Sequence, residues 1–179
     1  MNSCLYNVEN AVAASAVALQ CGVTEEELRK GLRSFEGIKR RFDYRVKNER
    51  IVYIDDYAHH PAEIKATLDS VRYMFPTKRV MGIFQPHLYT RTRDFADEFA
   101  EVLSTLDEAV LLDIYPAREL PIEGVSSQML LDKMATEHKQ LVKKDEVVDT
   151  ILKKQPEVVL TIGAGDIDRL VPIIEKALL

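Results

Sequence analysis

No apolar run in this chain approaches the roughly 20 residues of a membrane span. The N-terminus lacks the charged-then-apolar layout of a secretory signal. Cysteine is scarce: Cys4 and Cys21 are the only two, without metal-ligand spacing and away from the histidine pair. Two free thiols in a reducing cytoplasm are expected, not a disulfide framework. Positive charge is not in excess. Lys and Arg total 24 against 29 Asp and Glu, a net charge of -5, which argues against a general nucleic-acid binder. There is no low-complexity tract and no internal repeat. A phosphate loop of the form Gly-x-x-x-x-Gly-Lys-[Ser/Thr] is also missing. By itself, then, the chain supplies at most one wall of a phosphotransfer site. What is there is a chain of 179 residues, 46% hydrophobic and 30% charged. That suits a soluble domain of ordinary size, or one domain plus a piece of another.

The first 37 residues read differently from the rest. Val8, Val12, Ala16 and Leu19 fall at helical spacing, with Asn7 as a plausible N-cap and Gly22 as the stop. Thr24-Glu25-Glu26-Glu27 has the form of a capping box and opens a second helix, to about Ser34. Two short helices cannot bury a core alone. They read as the tail of a neighbouring domain, with Phe35-Glu36-Gly37 as the hinge.

From residue 38 the chain alternates. Phe42–Val46 and Arg50–Ile54 predict a hairpin around Lys47-Asn48-Glu49. A helix is predicted over Pro61–Met74, a strand over Val80–Phe84 and a helix over Asp94–Leu103. A strand at Ala109–Leu112, a helix at Ser126–Ala135 and a short strand at Lys139–Val142 follow. The chain closes with a helix at Val147–Leu152, a strand at Val158–Ile162 and a helix at Asp166–Ala177. Short apolar strands alternating with helices indicate an α/β, Rossmann-like, mostly parallel sheet covered on both faces and preceded by a short helical segment. The right-handed crossover rule then gathers the strands' carboxyl ends on one edge.

Four strands end in chemically loaded loops: Asp55-Asp56-Tyr57-Ala58-His59-His60-Pro61, Gln85 to Arg93, Asp113 to Glu119, and Gly163-Ala164-Gly165-Asp166. Each has a bland reading beside a functional one. Asp55 and Asp56 are the type that caps a turn. His59 and His60 suit a solvated N-cap, and adjacent histidines point apart, without a third ligand for zinc. Arg91 and Arg93 suit a wet helix start, or clamp a carboxylate or phosphate bidentately. The glycines suit a tight turn and lack the full dinucleotide fingerprint. Convergence of all four on one rim is the stronger signal.

These runs, with Tyr6-Asn7-Val8-Glu9-Asn10-Ala11 and Gly37-Ile38-Lys39-Arg40-Arg41-Phe42, resemble the ATP-dependent Mur ligases of peptidoglycan precursor synthesis. Asp55 through Pro61 and Phe84-Gln85-Pro86-His87 through Arg91 resemble the branch that adds L-alanine. The resemblance implies that residues 1–37 end a central ATPase domain and that 38–179 form the C-terminal Rossmann-like domain. It implies a reaction in which ATP phosphorylates the carboxylate of UDP-N-acetylmuramate to an acyl phosphate that the amine of L-alanine attacks. It assigns Asn7 and Asn10 to the adenine edge, Arg41 to the ATP phosphates and Asp56 to the ribose hydroxyls. His87 and Arg91 become the catalytic and substrate-binding pair at the amino-acid end, with Arg91 on the alanine carboxylate. Tyr57, His59 and His60 line the same cleft. The phosphate loop and the ligands of Mg²⁺ are expected upstream of residue 1, so the chain alone is expected to be inactive. Neither nucleic acid nor membrane is an expected partner. Tyr6 stands where the family usually has histidine, and Leu88 where many members have arginine. Two other readings stay open: a ligase that recycles murein tripeptide, and a non-catalytic nucleotide-binding Rossmann module.

Overall fold

The computed structural model describes residues 5–179, with side chains from Asn7 onward. Cys4 and the side chain of Tyr6 lie outside the described residues. Cys21 is a free, exposed thiol.

Helices α1 (Leu5–Gln20) and α2 (Glu25–Ser34) come first. The capping box forms: Glu27 N donates to Thr24 Oγ1 at 3.3 Å, and Thr24 N donates to Glu27 Oε2 at 2.9 Å. Asn7 is not an N-cap, because α1 already runs from Leu5. No residue of α2 is buried, and Val8, Val12, Val17 and Leu19 of α1 are exposed. The apolar stripe of α1 therefore belongs to no core among the described residues.

A six-stranded sheet follows, in the order β1-β2-β6-β3-β4-β5. Its strands are β1 (Asp43–Lys47), β2 (Val52–Asp56), β3 (Val80–Phe84), β4 (Glu108–Leu111), β5 (Lys139–Leu141) and β6 (Val158–Ile162). β1 pairs antiparallel to β2 as the predicted hairpin; the other pairs are parallel. Asn48 holds the hairpin turn, its Oδ1 accepting from the amides of Arg50 and Ile51.

Alternation along the strands serves two faces. Ile54, Phe84, Leu111, Leu160 and Ile162 meet α3 (Pro61–Met74), α5 (Ala96–Leu103) and α6 (Ser127–Lys133) on one side. Tyr53, Met81, Ile83, Val110 and Val159 meet α7 (Val147–Lys154) and α8 (Val171–Leu178) on the other. Double coverage is why these strands read as continuous apolar runs. Gly82 keeps the first face close, since a Cβ there would sit 2.5 Å from Leu106 Cδ1.

Two predicted helices begin differently from expectation. The one expected over Asp94–Leu103 is α5, and a separate short helix, α4 (Tyr89–Asp94), forms in the segment read as a loop; Phe95 between them leaves helical geometry (φ -118, ψ 25) and packs its ring on His60. The closing helix begins as a 3₁₀ turn, Asp166–Leu170, before α8. Pro172 lacks the N–H that a continuous helix would need there.

Candidate functional site

β2, β6, β3 and β4 are neighbours, so their trailing loops meet. Gly163 N donates to Asp56 O (3.2 Å), Gln85 N to Ile162 O (3.0 Å) and Leu112 N to Phe84 O (2.9 Å). Beyond the sheet, Tyr115 N donates to Pro86 O (2.8 Å) and Leu88 N to Tyr115 O (3.0 Å). This is the edge at which open α/β sheets receive ligands.

Gln85 is the floor of the rim. It is buried; its Nε2 donates to Asp166 Oδ1 and its Oε1 accepts from Ile167 N, both at 2.9 Å. Residue 165 must be small, because a Cβ there would lie 2.5 Å from Gln85 Oε1 and 2.7 Å from Tyr115 Cβ. Asp166 also pairs with Lys144. Burial pushes the Asp166 carboxyl up, but the bonds from Lys144 and Gln85 bring it below the usual carboxylate range.

The two aspartates at the end of β2 are both buried and do different work. Asp55 accepts from Thr161 Oγ1 (2.7 Å) and Arg40 Nε (3.1 Å), while Arg40 Nη2 donates to Gly163 O (2.6 Å). Burial raises the Asp55 pKa, and Thr161 and Arg40 only partly offset it. Asp56 accepts from Phe42 N and Ala58 N, both at 2.8 Å. Its turn-holding role is therefore real, alongside its place with Arg41 in a cavity of about 280 Å³ against Ala62, Ala66 and Thr67 of α3.

Arg91 Nη1 donates to His87 Nδ1 at 3.3 Å, and the His87 ring stacks on Tyr115 with centroids 5.7 Å apart. His59 faces His87 edge-on at 6.1 Å, and Tyr57 faces His59 at 5.2 Å. The guanidinium carbons of Arg40 and Arg41 stand 5.0 and 6.0 Å from the Tyr57 ring. Burial, then the Arg91 charge, then His59, push the His87 pKa below that of an ordinary histidine. Neutral His87 is thus free to accept the guanidinium's N–H. The local chain is shaped for this pair: Leu88 adopts φ 73, a conformation costly for a residue with a side chain, and Thr92 N and Oγ1 both donate to Leu88 O.

The rim thus gathers Tyr57, His59, His87 and Arg91. His60 does not join them. Its extended backbone turns it away from His59, so it N-caps α3 through Ala62 N (3.4 Å) and lies 4.6 Å from the Phe95 ring. The residues expected to hold ATP are divided as well. Asn7 and Asn10 line a groove of about 500 Å³ between α1 and α2, separate from the cavity of Arg41 and Asp56. Among the described residues no three His, Cys, Asp or Glu side chains come together as a metal site. No helix among them is long and apolar enough to cross a membrane. Sequence reasoning missed Arg40, Gln85, Tyr115 and Glu119 as site-builders. Arg40 lay within a basic triplet and the others within loops already singled out, but their partners are distant in sequence.

Comparison with known proteins agrees with this architecture. The family model described as Mur ligase, glutamate ligase domain, matches residues 40–165. A UDP-N-acetylmuramate–L-alanine ligase of Porphyromonas gingivalis is 58% identical over 166 residues, which cover 92% of this chain and 36% of that protein. The protein of that name from Parabacteroides distasonis is 54% identical over 172 residues, covering 96% and 37%. The crystal structure of UDP-N-acetylmuramate-alanine ligase from Thermotoga maritima superposes with a TM-score of 0.80 at 27% identity, over 97% of this chain and 38% of that one. A murein peptide ligase from Psychrobacter arcticus shares the fold, with a TM-score of 0.67 at 22% identity. The chain therefore spans little more than a third of the length of these relatives, and on the match across most of its α/β unit it belongs to the Mur ligase family.

Proposed function

We propose that this chain is the C-terminal part of an ATP-dependent ligase that joins L-alanine to UDP-N-acetylmuramate through an acyl phosphate, in cytoplasmic peptidoglycan precursor synthesis. In this reading residues 1–37 are the tail of a central ATPase domain and 38–179 are the C-terminal domain. The observation that carries it is the His87–Arg91 pair on the shared rim. A guanidinium there pairs a small carboxylate in two-point fashion, while neutral His87 orients it. In this reading Arg41 and Asp56, which share one cavity with Glu63, face the nucleotide. Arg41 would meet phosphates and Asp56 the ribose hydroxyls, while Asn7 and Asn10, in their separate groove between α1 and α2, would take the adenine edge. ATP, when bound, supplies the phosphoryl group that activates the muramoyl carboxylate. In this reading Mg²⁺ is held mainly by residues of the other domains of the ligase. Tyr57 and His59 line the amino-acid end beside His87.

In the full-length protein, Arg91→Ala is expected to raise the KM for L-alanine far more than that for ATP. Equal effects on both would move Arg91 away from the amino-acid end. The isolated chain is expected to yield no alanyl product with ATP, L-alanine and the sugar nucleotide. Product formation by the pure chain would refute the division of labour.

A further inference from the structure

We propose that Glu119 is a positioning residue for the His87–Arg91 pair: reaching across from the loop after β4, it grips the first turn of α4 and so sets where Arg91 stands. The inference rests on the reading of that pair as the amino-acid end of the site.

The geometry is a two-point grip. Glu119 Oε2 accepts from Thr90 N at 2.9 Å, and Glu119 Oε1 accepts from Thr90 Oγ1. A helix start needs acceptors for its first amides. Leu88, the N-cap of α4, gives none from its side chain. Glu119 fills that role from 29 residues away. Thr90 directly precedes Arg91, so the grip fixes the turn from which the guanidinium reaches His87. The same loop supports the other partner, since Tyr115 stacks on His87 and its backbone bridges Leu88 and Pro86. One segment therefore holds both members of the pair.

The charges facing His87 make the idea testable. Arg91 of α4 and His59 of the loop after β2 lower its pKa, while Glu119 raises it. Tyr115 lies against the ring, and Glu63 of α3 stands behind His59. Removing the Glu119 charge with the geometry intact must lower the His87 pKa further. Releasing α4, so that Arg91 withdraws, must raise it. The two effects have opposite signs.

The experiment is an NMR titration of the histidine ring signals in this chain, comparing Glu119→Gln with Glu119→Ala. Both remove the same charge, but the amide of Gln keeps an acceptor for Thr90. Glu119→Ala is expected to shift the His87 titration upward, and Glu119→Gln to leave it in place or lower it. Thr90→Val, which keeps the amide and the Glu119 charge but loses the hydroxyl, loosens the grip and should move His87 upward. It also serves if Glu119→Ala does not fold. Equal downward shifts in both Glu119 variants, or no shift in Thr90→Val, would overturn the proposal. In the full-length protein, Glu119→Ala should raise the KM for L-alanine by about tenfold or more, the loss of one charge-assisted contact, with kcat and the KM for ATP changing less and Glu119→Gln restoring most of it. If His87 shifts as expected and the KM for L-alanine does not, the grip stands and the amino-acid reading of the pair fails.

Discussion

Replacing Gly165 by alanine adds one methyl group at the point where the rim is tightest. The backbone there (φ -85) is open to any residue, so no conformational strain is involved. With free space around it, alanine would stabilise the chain by about 0.4–1 kcal/mol, through a less flexible unfolded state. There is no free space: the new Cβ would lie 2.5 Å from Gln85 Oε1 and 2.7 and 2.8 Å from Tyr115 Cβ and Cγ. Overpacking of this kind costs about 1–3 kcal/mol. If Gln85 yields, the buried Ile167 N–H loses its acceptor, for about 1–3 kcal/mol more. Gly165→Ala should therefore lower the unfolding free energy by about 2–6 kcal/mol, read in urea as a midpoint lower by on the order of 1 M or more. Gly31→Ala, with nothing within 4 Å of its Cβ, is the control and should not destabilise. Combining Gly165→Ala with Gln85→Ala should give less than the sum of the single losses, because part of the clash is already gone. A midpoint unchanged or raised in Gly165→Ala, or strict additivity with Gln85→Ala, would refute the account of the rim.

Asp56→Ala should destabilise the ligand-free chain by about 2 kcal/mol or more, since the amides of Phe42 and Ala58 lose their acceptors; a urea midpoint within error of the parent would show that the carboxylate serves ligands only. His87 should titrate below the ordinary histidine value, and Arg91→Ala should move it upward, by NMR. As pH falls through the ordinary histidine range, the unfolded chain takes up this proton first, so stability is lost until the lower folded pKa is passed; His87→Gln should flatten that part of the pH–stability curve, and an unchanged curve would count against it. Asp166 has linkage of the same sign at lower pH: its folded pKa is depressed, so its contribution is present above the unfolded value and lost as pH falls through the folded one. Lys144→Met should raise the pH of acid unfolding while costing about 1 kcal/mol or less near neutrality, because the pair is partly exposed; an unmoved acid midpoint would contradict it.

Much of the fold was legible because its signals are local. The helix Pro61–Met74 and the strands Val80–Phe84 and Val158–Ile162 have the bounds that periodicity and the proline start imply. The break at Phe95 and the 3₁₀ entry to α8 were not legible. The first depends on a ring finding His60, and the second on how Pro172 interrupts a pattern that is otherwise helical. The rim loops were recognisable as loaded, because charged and aromatic residues trail buried strands. Which members would face one another was hidden: His59 and His60 are adjacent in the chain, yet one looks at His87 and the other caps a helix.

Composition, the period of the apolar residues and the chemistry trailing four strands were enough, by themselves, to determine an α/β sheet with its reactive side chains on one edge. Those features act over a few residues and need no knowledge of what lies across the sheet. Tertiary structure alone decided that Arg40 ties Asp55 to Gly163, that Gln85 braces Asp166 and Ile167, and that Glu119 holds the turn carrying Arg91. Such pairings join residues from 15 to 123 positions apart, and they exist only once packing has brought β2, β6, β3 and β4 side by side.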